Sequence, residues 1–204
     1  MSIQNLWEPE HGFWERGFAV ICGVDEAGRG PLAGPVCAAA VILPRDMEIP
    51  GLNDSKQVAD KKRRELYDLV TAKAVAFGIA FATQSEIDEI NILQATFLAM
   101  RRAVEQLKSA PDLVLVDGNR APELPYPVET LVKGDSRSAN IAAASILAKV
   151  TRDRYMEEMA EKFPQYGFEI HKGYGTKRHY AALREFGPCE LHRRTFLRKF
   201  YGEG

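Results

Sequence analysis

The chain has 204 residues, 46% hydrophobic and 27% charged, with a net charge of −1. That balance describes an ordinary soluble globular domain whose core needs no staples. No apolar run is long enough to span a membrane, and the first ten residues lack the basic start and apolar stretch of a signal peptide. Three cysteines (Cys22, Cys37, Cys189) include no C-x-x-C pair, which argues against a disulfide framework and favours a reducing cytoplasm. Four histidines (His11, His171, His179, His192) show no zinc spacing. The charge is uneven: residues 171–204 carry a local +5, leaving −6 on residues 1–170. A basic end of this kind is a phosphate-binding surface or a solvated helix face.

Residues 1–17 read as a polar leader packing loosely on the domain, with Trp7, Phe13 and Trp14 interspersed. Residues 18–25 form a first, buried, β-branched strand. It ends in Asp25-Glu26, followed by Ala-Gly28-Arg29-Gly30-Pro. Neighbouring strand residues face opposite ways, so the two acids share one site only if the strand is ending and the chain turning. Gly28 and Gly30 permit such a turn, and Arg29 offers a fork of donors suited to phosphate. Alone, an acidic pair here is also an ordinary solvated turn.

Residues 35–43 read as a second strand, antiparallel to the first because the link is short. A helix is expected from about residue 54 to 76, with Asp54 or Ser55 as N-cap; its free N-terminus with Ser55 and Lys56 is also a possible phosphate site. Residues 77–83 read as the third strand. A short helix capped by Ser85 precedes a longer one over 93–108, whose Phe97, Met100, Val104 and Leu107 recur at helical spacing and face the core. Leu113-Val114-Leu115-Val116-Asp117-Gly118 is the clearest buried strand, apolar enough to be covered on both faces. Its terminal Asp117 repeats the logic of Asp25, at the strand end where open α/β sheets bind ligands. Residues 128–133 form a fifth strand, running into Gly134-Asp135, where Asp135 is a turn acid, a helix cap or a site residue. A long helix covers 139–162, with small residues that let it lie close to the sheet. His171-Lys172-Gly173-Tyr174-Gly175 presents a tyrosine between two glycines, either half-buried on an ordinary turn or free to stack on a base or sugar. A helix over 176–186 and a basic amphipathic segment over 191–200 complete the chain. The elements argue for an α/β fold.

Four strings together carry a family resemblance. Asp25-Glu26-Ala27-Gly28-Arg29-Gly30-Pro31, Asn53-Asp54-Ser55-Lys56, Lys133-Gly134-Asp135 with Ala142-Ala143-Ala144-Ser145-Ile146-Leu147-Ala148-Lys149, and the Tyr174 loop closely resemble the motifs of the ribonuclease HII (type 2 ribonuclease H) family. Their spread from Asp25 to Tyr174 covers nearly the whole chain. The resemblance implies a ribonuclease H-like fold, a five-stranded mixed sheet flanked by helices with a small helical C-terminal extension. It divides the chain into a leader (1–17), a catalytic domain (18–170) and a basic substrate-binding extension (171–204). Only 24 residues precede Asp25, too few for the additional N-terminal domain of the sibling ribonuclease HIII family.

Converging carboxylates repel unless a cation sits among them, and oxygen-only ligation points to Mg²⁺ or Mn²⁺. The resemblance implies a two-metal site on Asp25, Glu26, Asp117 and Asp135. It further implies endonucleolytic cleavage of the RNA strand of RNA–DNA hybrids, and of duplex DNA on the 5′ side of an embedded ribonucleotide, leaving 3′-hydroxyl and 5′-phosphate ends. Gly28, Arg29 and Gly30 would meet the 2′-hydroxyl and nearby phosphate, and Tyr174 would stack on the sugar beyond the cut. Ser55, Lys56, Ser145 and Lys149 are implied phosphate contacts. No Ser-His-Asp or Walker-type string supports covalent catalysis or triphosphate hydrolysis. A non-catalytic hybrid-binding module and a junction resolvase on the same fold are the alternatives. The first is disfavoured by the presence of all four acids, the second by Arg29 and Tyr174. A monomer is expected.

Overall fold

The computed structural model describes residues 6–52, 55 and 58–202. Five strands form one mixed sheet in the order β3-β2-β1-β4-β5. They are β1 (Ile21–Ala27), β2 (Val36–Ile42), β3 (Ala76–Ala82), β4 (Leu113–Asp117) and β5 (Val128–Leu131). The first three form an antiparallel meander, while β4 lies parallel to β1 and β5 parallel to β4. Seven helices join the described strands: α1 (Glu8–Glu15), α2 (Asp60–Lys73), α3 (Gln84–Glu105), α4 (Ala139–Lys162), α5 (Phe168–His171), α6 (Lys177–Phe186) and α7 (Arg194–Tyr201).

The sheet is buried on both sides because β2 is apolar at every position. Cys37, Ala39 and Val41 face α2 and α4, whereas Val36, Ala38, Ala40 and Ile42 face α3. Alternation along the strand assigns each set to its layer. Helix α4 approaches β1 so closely that a Cβ on Gly23 would lie 2.2 Å from the Asn140 carbonyl carbon, so only glycine fits there. The far half of α4 packs with α5–α7 and with Leu32 and Ala33 in a separate apolar cluster through Met156, Tyr166 and Phe168.

Several sequence expectations are corrected. The N-terminal segment is not loosely packed: Glu10 on α1 is fully buried, and its Oε1 accepts from Ser138 Oγ at 2.6 Å and Asn140 Nδ2 at 3.1 Å. Helix α2 starts at Asp60 rather than near Ser55, behind Ala59 with no side-chain cap. Helix α3 is capped by Thr83, not Ser85, because Thr83 and Glu86 complete a reciprocal capping box two residues earlier. The short and the longer helix expected there are both present, separated at the non-helical Asn91 (φ 67°, ψ 164°), whose side chain accepts from the amides of Leu93 and Gln94 and caps the second.

Candidate active site

Strand register builds the centre of the site. Val24 pairs with Val116 across the parallel β1–β4 seam. The next residues, Asp25 and Asp117, therefore stand side by side and point to the same face. Since Val24 and Val116 belong to the α3 layer, both acids point toward α4. There Asp135 arrives on a 3₁₀ turn (Gly134–Ser136) just ahead of α4. Oxygens of Asp25, Asp117 and Asp135 all lie within 4.8 Å of one another. The turn is tied to the strand by the Gly134 amide, which donates to Asp117 Oδ1 at 2.6 Å. Asp25 is only 5% exposed. Burial above all, and then the charges of Glu26 and Asp117, hold its carboxyl well above the usual carboxylate range. Three acidic oxygens so close, in a site that penalises their charge, form a centre for a divalent cation.

Glu26 is not one of these three, but it lines the same cavity as Asp25 and its charge acts on the Asp25 carboxyl. Strand β1 does not end at Asp25 but continues to Ala27, with Asp25, Glu26 and Ala27 all paired to β2. Successive residues therefore still alternate, and Glu26 lies on the α3 side. Its Oε1 is 3.4 Å from Arg29 Nη1. With Asp117, Thr96, Phe97, Asn119 and Arg120 it lines a cavity of about 340 Å³. A second cavity, of about 260 Å³, lies beside Asp25 and gathers Gly28, Arg29, Gly30, Ser55, Ser145, Lys149 and Tyr174. Gly28 has φ +98°, and a Cβ there would collide with the Arg152 guanidinium. A Cβ on Gly30 would sit 3.6 Å from the Tyr174 ring, which is 47% exposed.

The remaining expected contacts are less free than their types suggest. Ser145 Oγ donates to Ser55 Oγ at 2.8 Å, with both residues buried. Ser55 thus sits in a turn and not at a helix N-terminus. Lys149 is ion-paired to Asp153 at 2.6 Å, and burial lowers its pKa. Lys56 and Asp54 lie outside the described residues. Two wholly buried arginines escaped the sequence reading. Arg152 donates to the carbonyls of Ala33, Pro35 and Lys172, and Arg193 to those of Gly28, Arg29 and Gly34. For Arg152 a signal existed: Ser145, Lys149 and Arg152 follow the i, i+4, i+7 spacing of one helix face. Arg193 had none, being one of several arginines in a basic tail.

The ribonuclease HII family model matches residues 22–200. A ribonuclease HII of Endomicrobium trichonymphae is 55% identical over 195 residues, covering 95% of this chain and 93% of that protein. One from Burkholderia ambifaria is 59% identical over 177 residues, covering 87% and 82%. Among solved structures, the ribonuclease H2 of Pyrococcus horikoshii superposes with a TM-score of 0.74 at 26% identity, over 91% of this chain and 97% of that one. The sheet order and the acids at its centre are thus those of a ribonuclease H-like fold, and the chain belongs to the ribonuclease HII family.

Proposed function

We propose that this endoribonuclease hydrolyses the RNA strand of RNA–DNA hybrids and cuts duplex DNA on the 5′ side of an embedded ribonucleotide, leaving 3′-hydroxyl and 5′-phosphate ends. The observation that carries the proposal is the trio Asp25, Asp117 and Asp135 at the ends of two parallel strands and the head of α4. The trio suits Mg²⁺ or Mn²⁺, which as a pair would activate water and stabilise the leaving oxygen.

The chain's own groups do the rest. Asp25, pushed toward its protonated form by burial and then by the charges of Glu26 and Asp117, is the carboxylate that gains most from a cation's charge. The Gly134 amide keeps one Asp117 oxygen oriented and leaves the other available. Glu26, across the strand end, completes the acidic set and holds Arg29 at the cavity rim. Arg29 and the flanking glycine backbone meet the 2′-hydroxyl and adjacent phosphate, the group that separates RNA from DNA. The exposed Tyr174 ring, next to Gly30, stacks on the sugar beyond the cut. Ser55, Ser145 and Lys149 line the path of the phosphates, and Lys56 is carried as a further phosphate contact on its residue type alone. The three unpaired cysteines suit a reducing cytoplasm, and we take the working form to be a monomer.

The test is an end-labelled DNA duplex with one ribonucleotide, beside an all-DNA control, each incubated with Mg²⁺, Mn²⁺ or EDTA. A single metal-dependent cut 5′ to the ribonucleotide, with the control intact, is expected. Binding without cutting would favour a non-catalytic module, and cutting of both duplexes would remove ribose sensing from Arg29 and Tyr174.

A further inference from the structure

The two elements assigned to ribose sensing, the 28–30 loop and Tyr174, are far apart in sequence. Both are held from below by one dipeptide, His192-Arg193, between α6 and α7. Arg193 is fully buried, and its guanidinium makes no ion pair among the described residues. It spends its donors on backbone instead: Nη2 to the Gly28 carbonyl at 2.5 Å, Nη1 to that of Arg29 at 2.8 Å, Nε to that of Gly34 at 2.9 Å. Its own amide donates to the Leu32 carbonyl at 2.9 Å. In a trans peptide the carbonyl and the following amide point opposite ways. Drawing the Gly28 and Arg29 carbonyls onto Arg193 therefore turns the amides of Arg29 and Gly30 away from it, toward the side where the cavity lies.

His192 reaches the other element. His179 Nδ1 lies 2.9 Å from the Tyr174 carbonyl, and His179 Nε2 lies 3.0 Å from His192 Nε2. A carbonyl only accepts, so His179 carries its hydrogen on Nδ1 and leaves Nε2 bare. His192 must then donate from Nε2, which leaves its Nδ1 to accept the Cys189 amide at 3.0 Å. All four ring nitrogens have partners, His192 Nδ1 also lying 3.2 Å from the Cys189 Sγ, and the relay runs in one direction, ending on Tyr174. His192 also bridges Ala33 in the segment just after the 28–30 loop, and the Leu32 amide donates to the Gly173 carbonyl beside Tyr174 at 2.8 Å.

We infer that His192 and Arg193 are positioning residues that set the gap between the glycine loop and Tyr174, and so determine discrimination for a lone ribonucleotide. The inference rests on the sensing roles assigned above. A basic extension valued only for its charge would not bury an arginine against three carbonyls, since a buried guanidinium forfeits its hydration.

The test is steady-state cleavage of two substrates, a DNA duplex with one ribonucleotide and a continuous RNA–DNA hybrid, by the full-length protein and three variants. Arg193→Lys keeps the charge but lacks the fork that spans two successive carbonyls. Small misplacements of a positioning group cost up to about a hundredfold, so kcat/KM on the single ribonucleotide should fall about tenfold or more beyond any loss on the long hybrid. His179→Asn keeps an amide donor where Nδ1 stands but loses the contact to His192 Nε2, and should lower the single-ribonucleotide activity relative to the long hybrid. His179→Gln places the amide where Nε2 stands, abandons Tyr174, and should lower the same ratio. Equal losses on both substrates for Arg193→Lys would overturn the clamp and leave Arg193 a purely structural residue. If that variant does not fold, the histidine variants decide: a wild-type ratio in either overturns the inference. A wild-type protein that cuts neither substrate would instead sink the ribonuclease reading and the clamp's purpose with it, before any variant is compared.

Discussion

Asp117→Asn should push activity and stability in opposite directions, and the structure says why. The asparagine amide oxygen can still accept the Gly134 amide, now 2.6 Å from Asp117 Oδ1, so the 3₁₀ turn and Asp135 keep their places. What disappears is one negative charge within 4.8 Å of two others. At that spacing two unit charges repel by about 3 kcal/mol at an effective dielectric near 20. The wild type already relieves part of this by favouring the protonated form of Asp25. The net gain for the metal-free variant should therefore be smaller, about 1 kcal/mol, or roughly 2–4 °C in Tm for a domain of this size. Added Mg²⁺ or Mn²⁺ should raise the Tm of the wild type and close or reverse that gap, because the variant has lost a ligand. Cleavage should fall by about a hundredfold or more, the scale for removing one group that stabilises charge in a transition state, while duplex binding survives. Thermal unfolding with EDTA and with each metal, beside the cleavage assay, checks all three points. A variant that melts below the wild type in EDTA, or that keeps both the metal-induced shift and near-normal turnover, would remove Asp117 from the cation site.

Other perturbations test separate links. Tyr174→Ala should cost about tenfold or more at a single ribonucleotide, the scale of one lost stacking contact, with a smaller loss on long hybrids; equal losses would deny it a junction-reading role. Glu86 binds Arg102 through both oxygens, at 2.7 and 3.1 Å, and completes the Thr83 capping box, which brings its pKa down to about 2. Its folded-state pKa is depressed, so its contribution is present above about pH 4.5 and fades as pH falls toward 2. Glu86→Gln should thus cost about 1 kcal/mol at pH 7 after allowing for solvent screening, and clearly less at pH 2, where the folded-state group is half protonated, by denaturant melts at the two values. Glu10 is the opposite case: burial raises its pKa, and Oε2 has no partner among the described groups. The folded protein holds that proton longer than the unfolded chain, so wild-type stability drains as pH rises through the raised value. Glu10→Gln retains an oxygen for Ser138 and Asn140 and should gain on the wild type progressively from pH 4 to pH 8; a constant Tm difference across that range would refute a titrating Glu10.

What could be read in the sequence was whatever local chemistry decides. Helix α4 begins and ends where expected because Ser138 caps it, accepting from the Ile141 amide, and Pro164 follows its end. Strand β4 was legible from its unbroken apolar run, and that run also put Asp117 at a strand end. The start of α2 was not legible. Ser55 has the right chemistry to cap a helix, but its hydroxyl is taken by Ser145, ninety positions along the chain. No local pattern announces a competing partner at that distance. The same holds for α1, in a leader read as loosely packed, where Glu10 is buried because Asn140 and Ser138 arrive from α4.

Glu26 and Arg193 show where reading by residue type stops. The glycines after Glu26 suggested a turn that would bring two consecutive acids to one site. Strand β1 instead keeps its pairing with β2 through Ala27 and keeps the alternation with it. The three acids nearest one another come from two parallel neighbours and a turn, while Glu26 reaches the Asp25 cavity from the strand end, beside Arg29. Arg193 was counted as part of a basic surface. Charge counts carry no direction, and direction is what distinguishes it from Arg194 next door, which is exposed. Inward-facing Arg193 makes no ion pair among the described residues; it lies over the Phe196 ring and meets the carbonyls of a glycine loop whose side chains offer nothing to hold. A loop that must expose its backbone to read a ribose cannot be anchored by its own side chains; its fixed points must come from elsewhere in the chain, and here they come from residue 193.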